Sequence, residues 1–126
     1  MTTSFFPRWS ASLMLFLAGC AVQQTPAQLS ALAPAAESGQ QTLSSDIEWT
    51  LNTGYVRRLK KGSGWTKVGR LPQGDVYQPR NDVFTLEGAH IHEAYLVIED
   101  GVLVGFYLPA ERAFSPSRLH PAISLH

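Results

Sequence analysis

Ala94-Tyr95-Leu96-Val97-Ile98-Glu99-Asp100-Gly101-Val102-Leu103-Val104-Gly105-Phe106-Tyr107-Leu108 is the stretch whose reading decides the fold. Two runs rich in β-branched and aromatic residues flank Asp100-Gly101, a dipeptide suited to a two-residue type I′ turn because both central residues of that turn need φ > 0. A loop of that length sets Val97 opposite Val104 and Tyr95 opposite Phe106, while Leu96 and Ile98 share the other face with Leu103 and Tyr107. Both faces are apolar near the centre. A sheet with one wet face alternates, so this hairpin is expected to be covered on both sides, as in a closed barrel or a sheet whose second face meets a loop or a partner. Gly105, opposite Leu96 in that register, marks a place for a bend or bulge.

Upstream, Asp46 to Asn52 alternates, with Ile47, Trp49 and Leu51 on one side and Glu48, Thr50 and Asn52 on the other, the pattern of a half-buried strand. Thr53 to Leu59 and Trp65 to Gly69 flank the polar Lys60-Lys61-Gly62-Ser63-Gly64, which reads as a hairpin with a basic tip. Leu71-Pro72-Gln73-Gly74 has the proline of a type I or II turn, leading into a short strand at Asp75-Val76-Tyr77-Gln78 that Pro79 ends. Val83-Phe84-Thr85-Leu86 is another strand, ended at Gly88. Pro109 stops the long hairpin. The expected fold is all-β, a small antiparallel barrel or curved sheet of five to six short strands. Gly64 to Gly69 followed by Leu71 to Tyr77 resembles the core hairpin of bacterial SH3-type modules, which makes an SH3-like barrel the preferred form.

The first twenty residues have a different character. Arg8 precedes an apolar run from Ala11 to Leu17, then Ala18-Gly19-Cys20, the layout of a secretory signal and too short for the ~20 residues that cross a bilayer. Leu17-Ala18-Gly19-Cys20 resembles the lipobox of bacterial lipoproteins. The resemblance implies cleavage before Cys20 and attachment of diacylglycerol to its thiol, with further acylation such as palmitate. Cys20 is the only cysteine, and thioether formation would consume a thiol otherwise free to pair between molecules. Ala21, rather than Asp, follows it, which by analogy with lipoprotein sorting implies the outer membrane, with the protein facing the periplasm. The expected organisation is a signal peptide over 1–19, a lipidated flexible tether over 20–45, a β domain over 46–110 and an irregular tail over 111–126. The tether is rich in Ala, Gln, Ser, Thr and Pro. As a random coil, its roughly 25 residues would hold the domain about 25 to 30 Å from the membrane.

A net charge of +0 gives no general attraction to nucleic acid, so that class of partner is set aside. The charges are nevertheless segregated. Between Arg57 and Arg80 the only acid is Asp75, and between Asp82 and Glu111 there is no Lys or Arg. Arg57, Arg58, Lys60, Lys61, Trp65 and Lys67 are therefore the candidate binding residues, for an acidic envelope protein or peptidoglycan. No nucleophile elbow or phosphate loop occurs, and the one cysteine is assigned to lipid, so the reading is a non-enzymatic module without a cofactor. The alternative is a metal-binding or hydrolytic protein using His90 and His92, which two-residue spacing places on one face of a strand. Zinc needs three or four converging ligands, and the sequence offers no clear third.

Overall fold

A computed structural model describes residues 21–32 and 39–126; the signal segment, Cys20 and residues 33–38 of the expected tether lie outside the described residues. The described chain is all β. Its strands are β1 (Thr25–Pro26), β2 (Ser30–Ala31), β3 (Gln40–Thr42), β4 (Ile47–Thr50), β5 (Val56–Leu59), β6 (Gly64–Leu71), β7 (Gly74–Pro79), β8 (Thr85–Glu87), β9 (Ile91–Glu93), β10 (Tyr95–Glu99), β11 (Val102–Leu108) and β12 (Ala113–Pro116). Twelve strands replace the five or six expected, because several have only two or three residues and no periodicity to announce them. No helix among the described residues is long and apolar enough to cross a membrane.

The main sheet is antiparallel and runs β1-β12-β11-β10-β7-β6-β2, with β3 also on β6. Asp100 and Gly101 both have positive φ, at 52° and 74°, as the type I′ turn requires. Ile98 faces Leu103, and Glu99 faces Val102. Beyond that point the register departs from expectation. Val97 pairs with Gly105, Leu96 with Phe106 and Tyr95 with Tyr107, since the strand bulges at Val104. One extra residue in β11 moves every later partner by one and bends the strand. The bend coincides with a close approach: a Cβ on Gly105 would lie 2.5 Å from the Ser115 carbonyl oxygen and 2.6 Å from the Phe114 ring.

Residues 25–31 form a strap that touches both ends of the sheet. Thr25 and Pro26 pair with Phe114 and Ala113 of β12, and four to five residues later Ser30 and Ala31 pair with Arg70 and Gly69 of β6. Four residues of extended chain reach about 13 Å, so the sheet must curl until its edge strands are that close. A second glycine permits the approach, because a Cβ on Gly69 would meet the Ser30 carbonyl oxygen at 2.5 Å. Much of the segment expected to be a free tether is thus held by backbone hydrogen bonds, including Lys67 N–H to the Gly39 carbonyl at 2.8 Å. The expected irregular tail likewise contributes β12, and Ile123 is buried in the core. Neither segment has the apolar alternation that identifies a strand from sequence; pairing with an existing edge supplies the stability.

Two clusters fill the two faces of the sheet, as the doubly apolar hairpin implies. Leu71, Val76, Val97, Tyr107 and Phe114 form the smaller, closed by Ala27 and Leu29 of the strap. Phe114 and Leu71 come from opposite ends of the sheet, so this face is the inside of the curl. The larger cluster contains an aromatic stack of Trp49, Phe84 and Phe106 with ring centroids 5.8 to 6.4 Å apart, and Trp65 meets Phe84 edge-on. Those rings come from β4, the segment before β8, β11 and β6, so they fasten two small hairpins, β4–β5 and β8–β9, onto the outer face.

The expected hairpin between Thr53–Leu59 and Trp65–Gly69 does not form. β5 pairs with β4, and β6 pairs with β7, leaving Lys60 to Ser63 as the crossing between the two layers. The Gly54 N–H donates to the Leu51 carbonyl at 2.9 Å, a tight turn that returns the chain to β4 before it can reach β6.

Candidate functional site

At the crossing from β5 to β6 a groove of about 470 Å³ opens between the β4–β5 hairpin and the segment leading from β7 to β8. Its floor is aromatic. Trp65, only 2% exposed, and Phe84 lie beneath it, and the Trp65 indole N–H donates to Ser63 Oγ at 3.1 Å. Arg57, Arg58, Lys60 and Arg80 line the walls, with Asp82 the one carboxylate among them.

The segregated charges of the sequence are largely matched in space. Arg57 meets the Glu87 carboxylate and donates through Nε to the Thr85 carbonyl at 3.0 Å. Thr53 Oγ1 donates to the neighbouring Glu87 carbonyl, so side chains of the β4–β5 hairpin occupy the open edge of β8. Arg58 pairs with Glu48 across the same hairpin, and the Glu48 hydrogen bond holds its guanidinium in the charged form above its ordinary range. Lys67 lies 3.3 Å from Asp75, and Arg70 bridges Asp75 and Glu99. Hydrogen bonding to Asp75, then the charge of Glu99, raises Arg70 likewise. Exposed pairs of this kind hold side chains in place more than they stabilise the fold.

Of the six candidate residues, the groove brings together Arg57, Arg58, Lys60 and Trp65. Trp65 serves as floor, buried in the core rather than presented to a ligand. Lys61 stands outside the lining at the turn, its backbone N–H donating to Asp46 Oδ1 at 2.7 Å. Lys67 is not in the groove; it pairs with Asp75 on the β6–β7 ladder. Arg80 was not among the candidates but completes the wall, its N–H donating to the Gly64 carbonyl at 2.9 Å. Its position after Pro79, where a strand must stop, is the one signal that would have placed it at a rim. Lys60, Lys61 and Arg80 form no ion pair among the described residues.

His90 and His92 have ring centroids 6.5 Å apart. His92 Nδ1 lies 2.8 Å from Glu111 Oε1, an orienting contact for a partly buried ring. Among the described residues, no three His, Cys, Asp or Glu side chains converge as metal ligands would. A second hollow, of about 200 Å³, lies between Ala21–Gln23, the β4–β5 turn and Arg118. No known protein family, curated protein or solved structure matches this chain.

Proposed function

We propose that the chain is the precursor of a lipid-anchored envelope protein whose folded part is a non-enzymatic binding module, with the groove at the β5–β6 crossing as its binding surface. The observation that carries the binding reading is that Lys60 and Arg80 in the groove wall, with Lys61 at the adjoining turn, form no ion pair among the described residues whereas Arg57, Arg58, Lys67 and Arg70 each have a carboxylate. Unpaired cations above an aromatic floor suit a carboxylate-bearing partner, either peptidoglycan with its stem peptides or an acidic envelope protein. The lipobox Leu17-Ala18-Gly19-Cys20 supports the anchor and Ala21 the outer membrane. The turn joining Leu71 to Gly74 supports an SH3-like arrangement of β6 and β7 as the finer fold reading.

The test of the groove is cosedimentation with purified peptidoglycan across a salt series. Wild-type protein is expected to bind at low salt and to dissociate as salt screens the exposed charges. Lys60→Glu with Lys61→Glu should weaken binding about tenfold, mainly through a slower on-rate. Undiminished binding by that variant would remove the groove from the proposal; failure of the wild type to sediment would leave an acidic protein as the partner. For the anchor, Cys20→Ser should abolish palmitate incorporation and membrane fractionation, since a hydroxyl cannot form the thioether. Palmitate uptake by the serine variant would end the lipoprotein reading.

A further inference from the structure

The residues directly after Cys20 lie on the folded body. Val22 packs against the larger core, and Thr25 and Pro26 are held to β12, so Ala21 to Gln23 form one wall of the 200 Å³ hollow. Two peptide units from Cys20 to Val22 span at most about 7 Å, which leaves no slack between the lipid attachment point and the domain. Asn52, Thr53 and Arg118 face those residues across the hollow. Asn52 ties the two loops together, since its Nδ2 donates to the Pro116 carbonyl at 2.8 Å and Arg118 N–H donates to its Oδ1 at 2.9 Å.

Three of the large apolar side chains that the described surface exposes belong to these two loops. Tyr55 and Val56, 47% and 54% exposed, follow Thr53, and Leu119, 51% exposed, follows Arg118. Apolar side chains, a tyrosine and a cation with no ion pair among the described residues are the composition that suits the headgroup boundary of a bilayer. We infer that this face rests on the membrane that holds the Cys20 acyl chains, so that the domain is clamped in one orientation instead of swinging on a tether. The occupant of the face is the lipid surface itself. Tyr55 and Lys60 lie at opposite ends of β5, about 17 Å apart at strand spacing, which keeps Lys60 and the turn after it away from the bilayer. The inference rests on the lipoprotein reading of Cys20.

The experiment uses the full chain, matured in bacteria and reconstituted into vesicles of phosphatidylethanolamine and phosphatidylglycerol. Because the matured Cys20 sulfur is a thioether, Val56→Cys, Leu119→Cys, Lys61→Cys and Arg80→Cys each supply one free thiol for an environment-sensitive fluorophore. Lipid carrying a nitroxide quencher should then quench the dye at 56 and 119 about threefold more than at 61 and 80, as expected for residues seated at the interface. All four sites are exposed, and circular dichroism matching wild type verifies the fold of each variant. Equal quenching at the four sites, or stronger quenching at 61 and 80, in protein that carries palmitate overturns the fixed orientation and leaves the lipoprotein reading standing. Absence of palmitate overturns both.

Discussion

The two faces of the curled sheet are filled by different means. The inner cluster is small, and it depends on close backbone approach: glycines at 69 and 105 let the strap and β12 come nearer than any side chain would allow. The outer cluster is larger, and its stack of Trp49, Phe84 and Phe106 gathers hairpins that make no backbone pairs with the main sheet. Inside, the lack of a side chain specifies the arrangement; outside, bulk and ring geometry do.

The sharpest way to break this comparison is one substitution on each face. Val97, with 0% exposure and between Val76 and Gly105, has no polar partner to offer. Val97→Asp should therefore abolish folding, because an unpaired buried carboxylate costs several kcal/mol against a total stability of about 5 kcal/mol. Phe106→Ala opens a cavity under Trp49 and Phe84 and should cost about 3 to 5 kcal/mol, leaving the inner cluster assembled. Urea denaturation followed by tryptophan fluorescence and circular dichroism measures both. If Val97→Asp retains a cooperative transition, the inner face is wetter than its burial indicates.

A smaller effect separates the strap from the rest. Gly69→Ala forces a Cβ against the Ser30 carbonyl and the Leu29 side chain, which belong to the strap, and should cost about 1 to 3 kcal/mol. Hydrogen exchange should accelerate first at Ala27 and Leu32, whose amides donate to Arg112 and Val68, while amides between β10 and β11 keep their protection. Uniform acceleration across the sheet would show that strap and sheet open as one unit.

The smallest effect uses one tyrosine on each face. Burial raises Tyr77 in the outer cluster and Tyr95 beside the inner one above the ordinary tyrosine value, with Asp75 and Glu93 adding to the shift. The sign follows from linkage: the stability these phenols contribute is whole below about pH 10 and is lost as pH rises through their folded values, because the unfolded chain ionises first. Tyr77→Phe should flatten the alkaline limb of melting temperature against pH, and adding Tyr95→Phe should flatten it further. An unchanged limb in the double variant would assign alkaline unfolding to other groups.

The all-β class and the two covered faces were legible because the run from Ala94 to Leu108 is apolar on both sides of a turn dipeptide with demanding φ. Gly105 pointed to a bend or bulge, and the bulge lies beside it at Val104; the shifted register was not legible, since inserting one residue into a ladder changes neither composition nor alternation nearby. β12, with only Ala113 and Phe114 apolar, and the strap, with two-residue strands, have no local signal; edges built elsewhere recruit them. The basic residues of the site were readable one by one. Their neutralisation was not, because Arg57 meets Glu87, and Arg70 meets Glu99, only after hairpins far apart in sequence are stacked or paired.

The strap also sets the order in which the molecule can be finished. Thr25 is 89 residues from the Phe114 carbonyl its hydroxyl reaches, so the strap docks onto a strand far along the chain from it. Local hairpins such as β10–β11 close within microseconds, whereas so distant a contact must wait for the whole loop between them to be organised. Until then the edges of β6 and β12 lack the strap, and the chain cannot assume its completed shape before both edges are in place.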